Sequence, residues 1–285
     1  MADSNASENT YIFGAESASE IARLLERNRF LDKAMGGPFP ERTDLDGITH
    51  ILDIGCGPGG WAIDVARRYP SIKVVGIDTS ETMIASARNE AQKASLLENV
   101  TFVRMNALHP LEFPDQHFDL VNMRAAVEFI PRDYWQPLLQ ECYRVTQSGG
   151  ILRLMEADRI AHTNSRAFEQ YHAFYARMLY LRGYGFSPDG QTLGITPMLG
   201  KMLQYAGYRS TRMKSYALDL SSNSLFQTHY RRLLELRFAH VRDQLLERGL
   251  ATSEELERIH YAFLGEISRE TFCAVAYPLI FWGEK

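Results

Sequence analysis

The stretch Ile48-Thr-His-Ile-Leu-Asp-Ile-Gly-Cys-Gly-Pro-Gly-Gly60 decides how the chain is laid out. Ile48, Ile51, Leu52 and Ile54 form a short apolar run suited to the centre of a parallel sheet. Gly55, Gly57, Gly59 and Gly60 then remove the side chains from a turn that a ligand can approach closely. Trp61, Ile63, Val65 and Ala66 continue as a helix that Pro70 stops, so the loop lies on a helix N-terminus whose free N–H groups favour an anion. Strand, loop and helix together make a cradle for a cofactor.

The spacing of Gly55, Gly57 and Gly60, with the acid Asp78 about 20 residues beyond, also satisfies the dinucleotide pattern of nicotinamide enzymes. Asp53 argues for a different ligand. A carboxylate just before the first glycine, at the tip of an apolar strand, sits badly beside a pyrophosphate and suits a cation. Pro58 also departs from the usual dinucleotide turn.

Leu52-Asp53-Ile54-Gly55-Cys56-Gly57-Pro58-Gly59 resembles the first motif of the class I S-adenosylmethionine-dependent methyltransferases. The resemblance continues through Asp78-Thr79-Ser80 with Met83, Phe118-Asp119-Leu120-Val121 and Ser148-Gly149-Gly150, and covers residues 45–156. It implies an α/β fold, a Rossmann-like and mainly parallel seven-stranded sheet with helices on both faces, and S-adenosyl-L-methionine as cofactor. Within that resemblance Gly55, Cys56 and Gly57 form the cofactor loop, Asp78 accepts the ribose hydroxyls, and Thr79 and Met83 lie against the adenosine. Met83 reads equally well as core packing. Where relatives often have Gly-Asp-Ala, this chain has Met105-Asn106-Ala107 followed by Leu108. Asn106 keeps an acceptor oxygen for the adenine amino group but loses the charge. Asn122 and Arg124 fall at the carboxyl end of the fourth strand, where ligands of open α/β sheets bind.

Residues 17–35 have a helical pattern, with Ile21, Leu24, Leu25, Phe30 and Leu31 near one face and Gly36-Gly37 as the stop. Tyr11, Glu20, Arg23 and Leu24 resemble a lid helix of small-molecule methyltransferases, in which Arg23 pairs with the methionyl carboxylate. The competing expectation is a helix packed on the sheet with Arg23, Arg27 and Arg29 in water. Glu128 occupies a place where relatives carry a histidine, and together with His162 it is a candidate general base; it reads also as a helix-start cap. Glu156, Asp158 and Arg159 fall at the rim of the expected site.

The second half is less standard. Residues 164–182 form a helix with an aromatic stripe of Phe168, Tyr171, Phe174 and Tyr175, beside His162 and His172, which either caps the site or packs. Thr196 reads as the N-cap and Pro197 as the first helical position of a short helix, 209–218 as a strand, 225–247 and 253–268 as amphipathic helices, and 271–282 as an antiparallel final strand. The expected organisation is a tail and lid helix over 1–44, a cofactor core over 45–160, a helical cap over 161–195, and over 196–285 the end of the sheet with a helical insertion. That insertion completes the cap or makes a homodimer surface.

Composition narrows the partners. The 285 residues carry a net charge of −4 without a basic run, which argues against nucleic acid. No stretch approaches the about 18 apolar residues of a membrane span, and the start has no apolar leader segment, so a cytoplasmic protein is expected. Cys56, Cys142 and Cys273 are widely spaced, which indicates neither a disulfide framework nor a metal site. The expected activity is transfer of a methyl group from S-adenosylmethionine to a small molecule. One alternative is an enzyme of the same fold that keeps the cofactor intact while closing or rearranging a ring. Another is a non-catalytic binding partner of a second subunit.

Overall fold

The structure, a computed structural model, describes residue 11 and residues 17–42, 44–225 and 227–285. The expectations placed on residues 1–9 and 12–14 lie outside them. A first helix, α1 (Ala18–Met35), is capped by the Ser17 hydroxyl, which accepts the Glu20 N–H, and ends at Gly36 in the left-handed region. Then come β1 (His50–Ile54), α2 (Gly60–Arg68), β2 (Lys73–Asp78), α3 (Glu81–Lys93), β3 (Val100–Arg104), β4 (Phe118–Arg124), α4 (Trp135–Val145) and β5 (Thr146–Glu156). The chain continues through β6 (His162–Thr163), α5 (Arg166–Leu181), α6 (Thr196–Tyr205), β7 (Arg209–Ser215) and β8 (Leu218–Asp219). It closes with α7 (Gln227–Glu247), α8 (Ser253–Ile267), β9 (Ala274–Ala276) and β10 (Leu279–Glu284).

Seven strands form one sheet in the order β3-β2-β1-β4-β5-β10-β7, and only β10 runs antiparallel to its neighbours. Helices cover both faces because the central strands are buried on both sides: β4 is buried from Phe118 to Met123, and α2 buries Trp61, Ala62, Ile63, Val65 and Ala66 against the sheet. The order reverses between β1 and β4, so a crevice opens at their carboxyl ends. Gly59 closes the loop in the left-handed region, with φ of +78°, and a Cβ there would lie 2.6 Å from the Phe102 ring.

The opposite end of the central strands is tied by Asp119. One of its carboxylate oxygens accepts the N–H groups of Thr49 and His50, each at 2.7 Å, and the Thr49 hydroxyl at 2.9 Å. This gives the acid in Phe118-Asp119-Leu120-Val121 a structural reason, since the entry to β1 would otherwise leave two donors unpaired.

Three expectations about the second half are corrected. The run 271–282 is split at Pro278, which has no N–H for a ladder; β9 and β10 fall on either side. The strand expected over 209–218 ends at Ser215 for the matching reason, since Tyr216 donates its N–H to the Pro278 carbonyl at 3.0 Å and β8 begins afresh at Leu218. The pieces β6, β9 and β8 form a separate three-stranded sheet. Thr196 is not the cap of α6 but lies inside it, its hydroxyl donating to Asp158 at 2.6 Å. The aromatic stripe of α5 packs: Tyr171 lies 4.8 Å from the Phe238 ring on α7, and Phe168 lies 5.9 Å from Phe263 on α8. Among the described residues no helix is long and apolar enough to cross a membrane.

Replacing Asp119 with alanine removes a buried acceptor and strands two backbone donors. Urea denaturation is expected to show a loss of about 2–4 kcal/mol. A change below about 0.5 kcal/mol, the range of an ordinary surface substitution, would contradict this role.

Candidate active site

Two cavities meet at the carboxyl ends of β1 and β4. The first encloses about 990 Å³, its mouth included. The glycine loop, the ends of β1 and β2, the start of α3 and the segment after β3 form its walls, and α1 contributes Leu24, Arg27 and Asn28. Of the residues expected to hold a cofactor, Tyr11, Asp53, Gly55, Cys56, Gly57, Asp78, Thr79, Met83, Asn106, Ala107, Leu108 and Arg124 all line this cavity. Arg23 and Asn122 do not.

Asp78 holds the loop. Its Oδ2 accepts the Gly57 N–H at 2.9 Å and its Oδ1 accepts the Ser80 N–H at 3.0 Å, so one carboxylate joins the glycine turn to the entry of α3. Asn106 spends its acceptor oxygen locally, on the Leu108 N–H at 2.9 Å, rather than keeping it open as the sequence suggested.

Asn122 lies behind the wall, in a row of polar side chains that crosses the sheet. Asp53 on β1, Asn122 on β4 and Arg153 on β5 are consecutive cross-strand partners. Asn122 donates its amide N–H to Asp53 Oδ1 at 2.7 Å and accepts from Arg153 at 2.7 Å, and Arg153 donates to Glu41 at 2.6 Å. Asp53 is 2% exposed and Asn122 fully buried. The row fixes one oxygen of Asp53 and leaves the other, Oδ2, buried without a hydrogen-bond partner.

Burial pushes the Asp53 carboxyl up to about 6, with Arg124 opposing the rise. Burial likewise brings Arg124 down to about 10, with Asp53 holding it up. Arg124 Nε is also buried without a partner, and its guanidinium lies 5.6 Å from the Trp61 ring. An unsatisfied anion and an unsatisfied cation therefore stand on the same cavity wall, a costly arrangement unless a ligand satisfies both.

Glu128, buried in a single 3-10 turn (Ala126–Glu128), is neither a solvated cap nor a free base. Its Oε1 accepts from the Tyr175 hydroxyl at 2.8 Å and from Arg237, and Arg27 lies 3.6 Å from Oε2. Burial raises its pKa, but Arg237, Arg27 and Arg23 outweigh this and hold it at about 2, which makes it a poor proton acceptor near neutrality. His162, the other candidate base, is not brought to the site. It is exposed on β6 against the Tyr277 ring at 5.6 Å and lines neither cavity. Arg23 is neither solvated nor open to a carboxylate of the first cavity. It donates to both oxygens of Glu20 at 2.6 and 2.7 Å, and the Tyr11 hydroxyl donates to Glu20 at 2.6 Å.

The second cavity, about 1000 Å³ with its mouth, shares Arg27, Arg124, Ala125 and Glu128 with the first. Its wall comes from α1, the end of β5 and α7, with Leu193, Leu218 and Pro278, and no residue of α5. Glu156, the last residue of β5, faces it. Its Oε1 accepts the Ala126 N–H at 2.5 Å, while Oε2 is buried with no partner. Burial pushes this carboxyl up to about 8, with the nearby Glu128 adding to the rise and the backbone N–H groups of Ala126 and Val127 and the Arg27 charge opposing it. The sequence offers only one signal for it, an acid ending an apolar strand. Arg27 had a clearer one, lying one helical turn from Arg23 on the same face. Among the described residues no group of three His, Cys, Asp or Glu side chains could hold a metal ion.

Residues 51–150 match a family model described as a methyltransferase domain. The demethylmenaquinone methyltransferase of Listeria welshimeri is 37% identical over 112 residues, 39% of this chain and 46% of that protein. The chain thus spans about half the length of the curated relatives it matches. Among solved structures, phosphoethanolamine N-methyltransferase 2 of Haemonchus contortus, in complex with S-adenosyl-L-methionine, has a TM-score of 0.50 at 18% identity, covering 93% of this chain and 52% of that one. The (4+2)-cyclase SpnF has a TM-score of 0.53 at 20% identity, covering 95% and 96%. Those two likenesses bear on the fold alone. The glycine loop, the sheet order and the match over residues 51–150 together make this part of the chain a methyltransferase domain of the class I S-adenosylmethionine-dependent superfamily.

Proposed function

We propose that the first cavity binds S-adenosyl-L-methionine and that the protein transfers its methyl group to a small molecule. One observation carries the reading: Asp53 Oδ2 and Arg124 Nε, opposite in charge and both without a partner, line one cavity. That pair suits the ammonium and carboxylate of a methionyl group, whereas a dinucleotide pyrophosphate would meet the Asp53 charge head on. In this reading Asp78 keeps the loop in place through Gly57 and also accepts the ribose hydroxyls, and Thr79, Met83, Ala107 and Leu108 enclose the base. Asn122 and Arg153 orient Asp53 without touching the ligand.

The bound cofactor supplies a methyl group already made electrophilic by its sulfonium. What remains for the chain is to align donor and acceptor and to exclude water, a contribution worth up to about 7–11 kcal/mol. The curated relatives are methyltransferases, which favours transfer over a ring-forming reaction that leaves the cofactor intact. The acceptor does not carry over from them: the matched domain ends at residue 150, before α7, which walls the second cavity.

Calorimetric titration should show binding of S-adenosylmethionine and none of NAD. The Asp53→Asn variant should bind S-adenosylmethionine about tenfold more weakly, the worth of a hydrogen bond to a charged group. Binding of NAD, or unchanged affinity in the variant, would overturn the assignment. The pH dependence has a definite sign. Asp53 must be ionised to hold an ammonium, so affinity should fall as pH drops through about 6, and in Asp53→Asn that fall should vanish.

Transfer itself is read from the cofactor's fate. Incubated with a panel of phenols and quinols, the protein should release S-adenosylhomocysteine in step with methylated product. Acceptor conversion with S-adenosylmethionine left intact would move the assignment to the ring-forming alternative.

A further inference from the structure

The second cavity has a property that cofactor binding does not use. Its walls are apolar, with Phe30, Leu31, Met155, Ile160, Leu233 and Leu234 among them, yet one buried carboxylate oxygen, Glu156 Oε2, has no partner. Buried polar atoms are nearly always paired, so an unpaired oxygen on a residue of an apolar cavity wall marks the place of a ligand's donor. The other charges around it define that donor. Arg23, Arg27, Arg124, Arg159 and Arg237 line the cavity with Glu128 and Glu156; Arg23 is paired with Glu20, Arg159 with Glu169, and Arg27 and Arg237 with Glu128. Arg27, which lies on the wall shared with the first cavity and is the arginine whose charge reaches Glu156, would stabilise a hydroxyl that becomes an oxyanion there.

We propose that the second cavity is the acceptor pocket, that it takes an apolar molecule bearing an acidic hydroxyl of the phenol or enol class, and that Glu156 receives the hydroxyl proton. The inference rests on the methyl-transfer reading for the reaction it serves. The O–H bond breaks with its proton going to the Glu156 carboxylate, and the electron pair left behind, on oxygen or on a conjugated carbon, forms the bond to the methyl group. The carbon–sulfur bond of the sulfonium breaks with its pair remaining on sulfur, giving S-adenosylhomocysteine, and Glu156 then loses its proton to solvent. Glu128, with its tightly held charge, is the counter-ion of Arg27 and Arg237, while Glu156, pushed up to about 8 by burial, matches the acidity of such a hydroxyl. The titratable groups that line the cavity with Glu156 are Arg23 and Arg27 from α1, Arg124 from β4, Glu128 from the 3-10 turn, Arg159 from the loop after β5, and Arg237 and Tyr230 from α7, and of these Glu128 and Arg27 act on its carboxyl.

The test is a binding measurement with 2-naphthol as probe and naphthalene as its hydroxyl-free control, followed by fluorescence without cofactor. Ionised Glu156 accepts a stronger hydrogen bond than the neutral acid, so 2-naphthol should bind about five- to tenfold tighter at about pH 8.5 than at about pH 6.5. Naphthalene should show no such gain. In Glu156→Gln, which keeps an acceptor for the Ala126 N–H, the pH dependence of 2-naphthol should disappear. Leu234→Trp, which fills the cavity from α7, should weaken both probes. Absence of 2-naphthol binding, a gain shared by naphthalene, a pH dependence that survives Glu156→Gln, or indifference to Leu234→Trp would each overturn the proposal. Calorimetry with S-adenosylmethionine on the same preparations tells this failure apart from failure of the cofactor reading.

Discussion

The buried row Glu41, Arg153, Asn122 and Asp53 is the constraint on which the site depends. A sheet this apolar has no reason to hold two acids, a guanidinium and an amide at its centre unless each satisfies the next, because an unpaired buried charge costs several kcal/mol. The cross-strand register of β1, β4 and β5 supplies the pairing: adjacent strands bring Asp53, Asn122 and Arg153 side by side. The row ends on one unspent oxygen, which points the whole arrangement at a ligand. In the proposed reading structure and binding are one feature, since the ligand that completes Asp53 also completes the sheet's polar interior.

A second set of buried charges joins α1 to the rest. Glu20 is held by Arg23 and Tyr11 and lies 3.0 Å from His240 of α7, while Arg27 and Arg237 converge on Glu128. These contacts explain why the most buried residues of α1 include Glu20, Arg23 and Asn28, while Ile21 and Leu24 are only half-buried. The helix docks through ions over its first turns and through Phe30 and Met35 nearer its end, with Asn28 donating to Asp64 between them. It lies against both cavities, so the same contacts place Arg27 on the wall they share.

The cofactor cradle was largely legible in the chain, because its chemistry is local. A strand, a turn without side chains and a helix N-terminus occupy 13 consecutive residues, and the further acids and apolar contacts fall at the ends of neighbouring strands, where topology forces them together. What misled were residues whose partners are distant in sequence. Arg23 looked available until Glu20 and Tyr11 closed on it. Asn122 looked like a wall residue until Arg153, 31 positions on, occupied its far side. The α5 stripe reads from the sequence as either a cap or a packing face, and its contacts with α7 and α8 are packing.

By itself, the sequence determined the fold class, the glycine loop and the acids that face it, since these follow from periodicity and from spacings within single elements. The tertiary structure alone decided which acid is a base candidate. Glu128 and Glu156 are both glutamates near strand ends, and nothing within a few residues of either tells them apart. Two arginines from α1 and α7 hold the first ionised, while an apolar wall built from the last third of the chain leaves the second unpaired and protonated at lower pH. A side chain's chemistry is set by the field and dielectric around it, and those are made by residues distant in sequence.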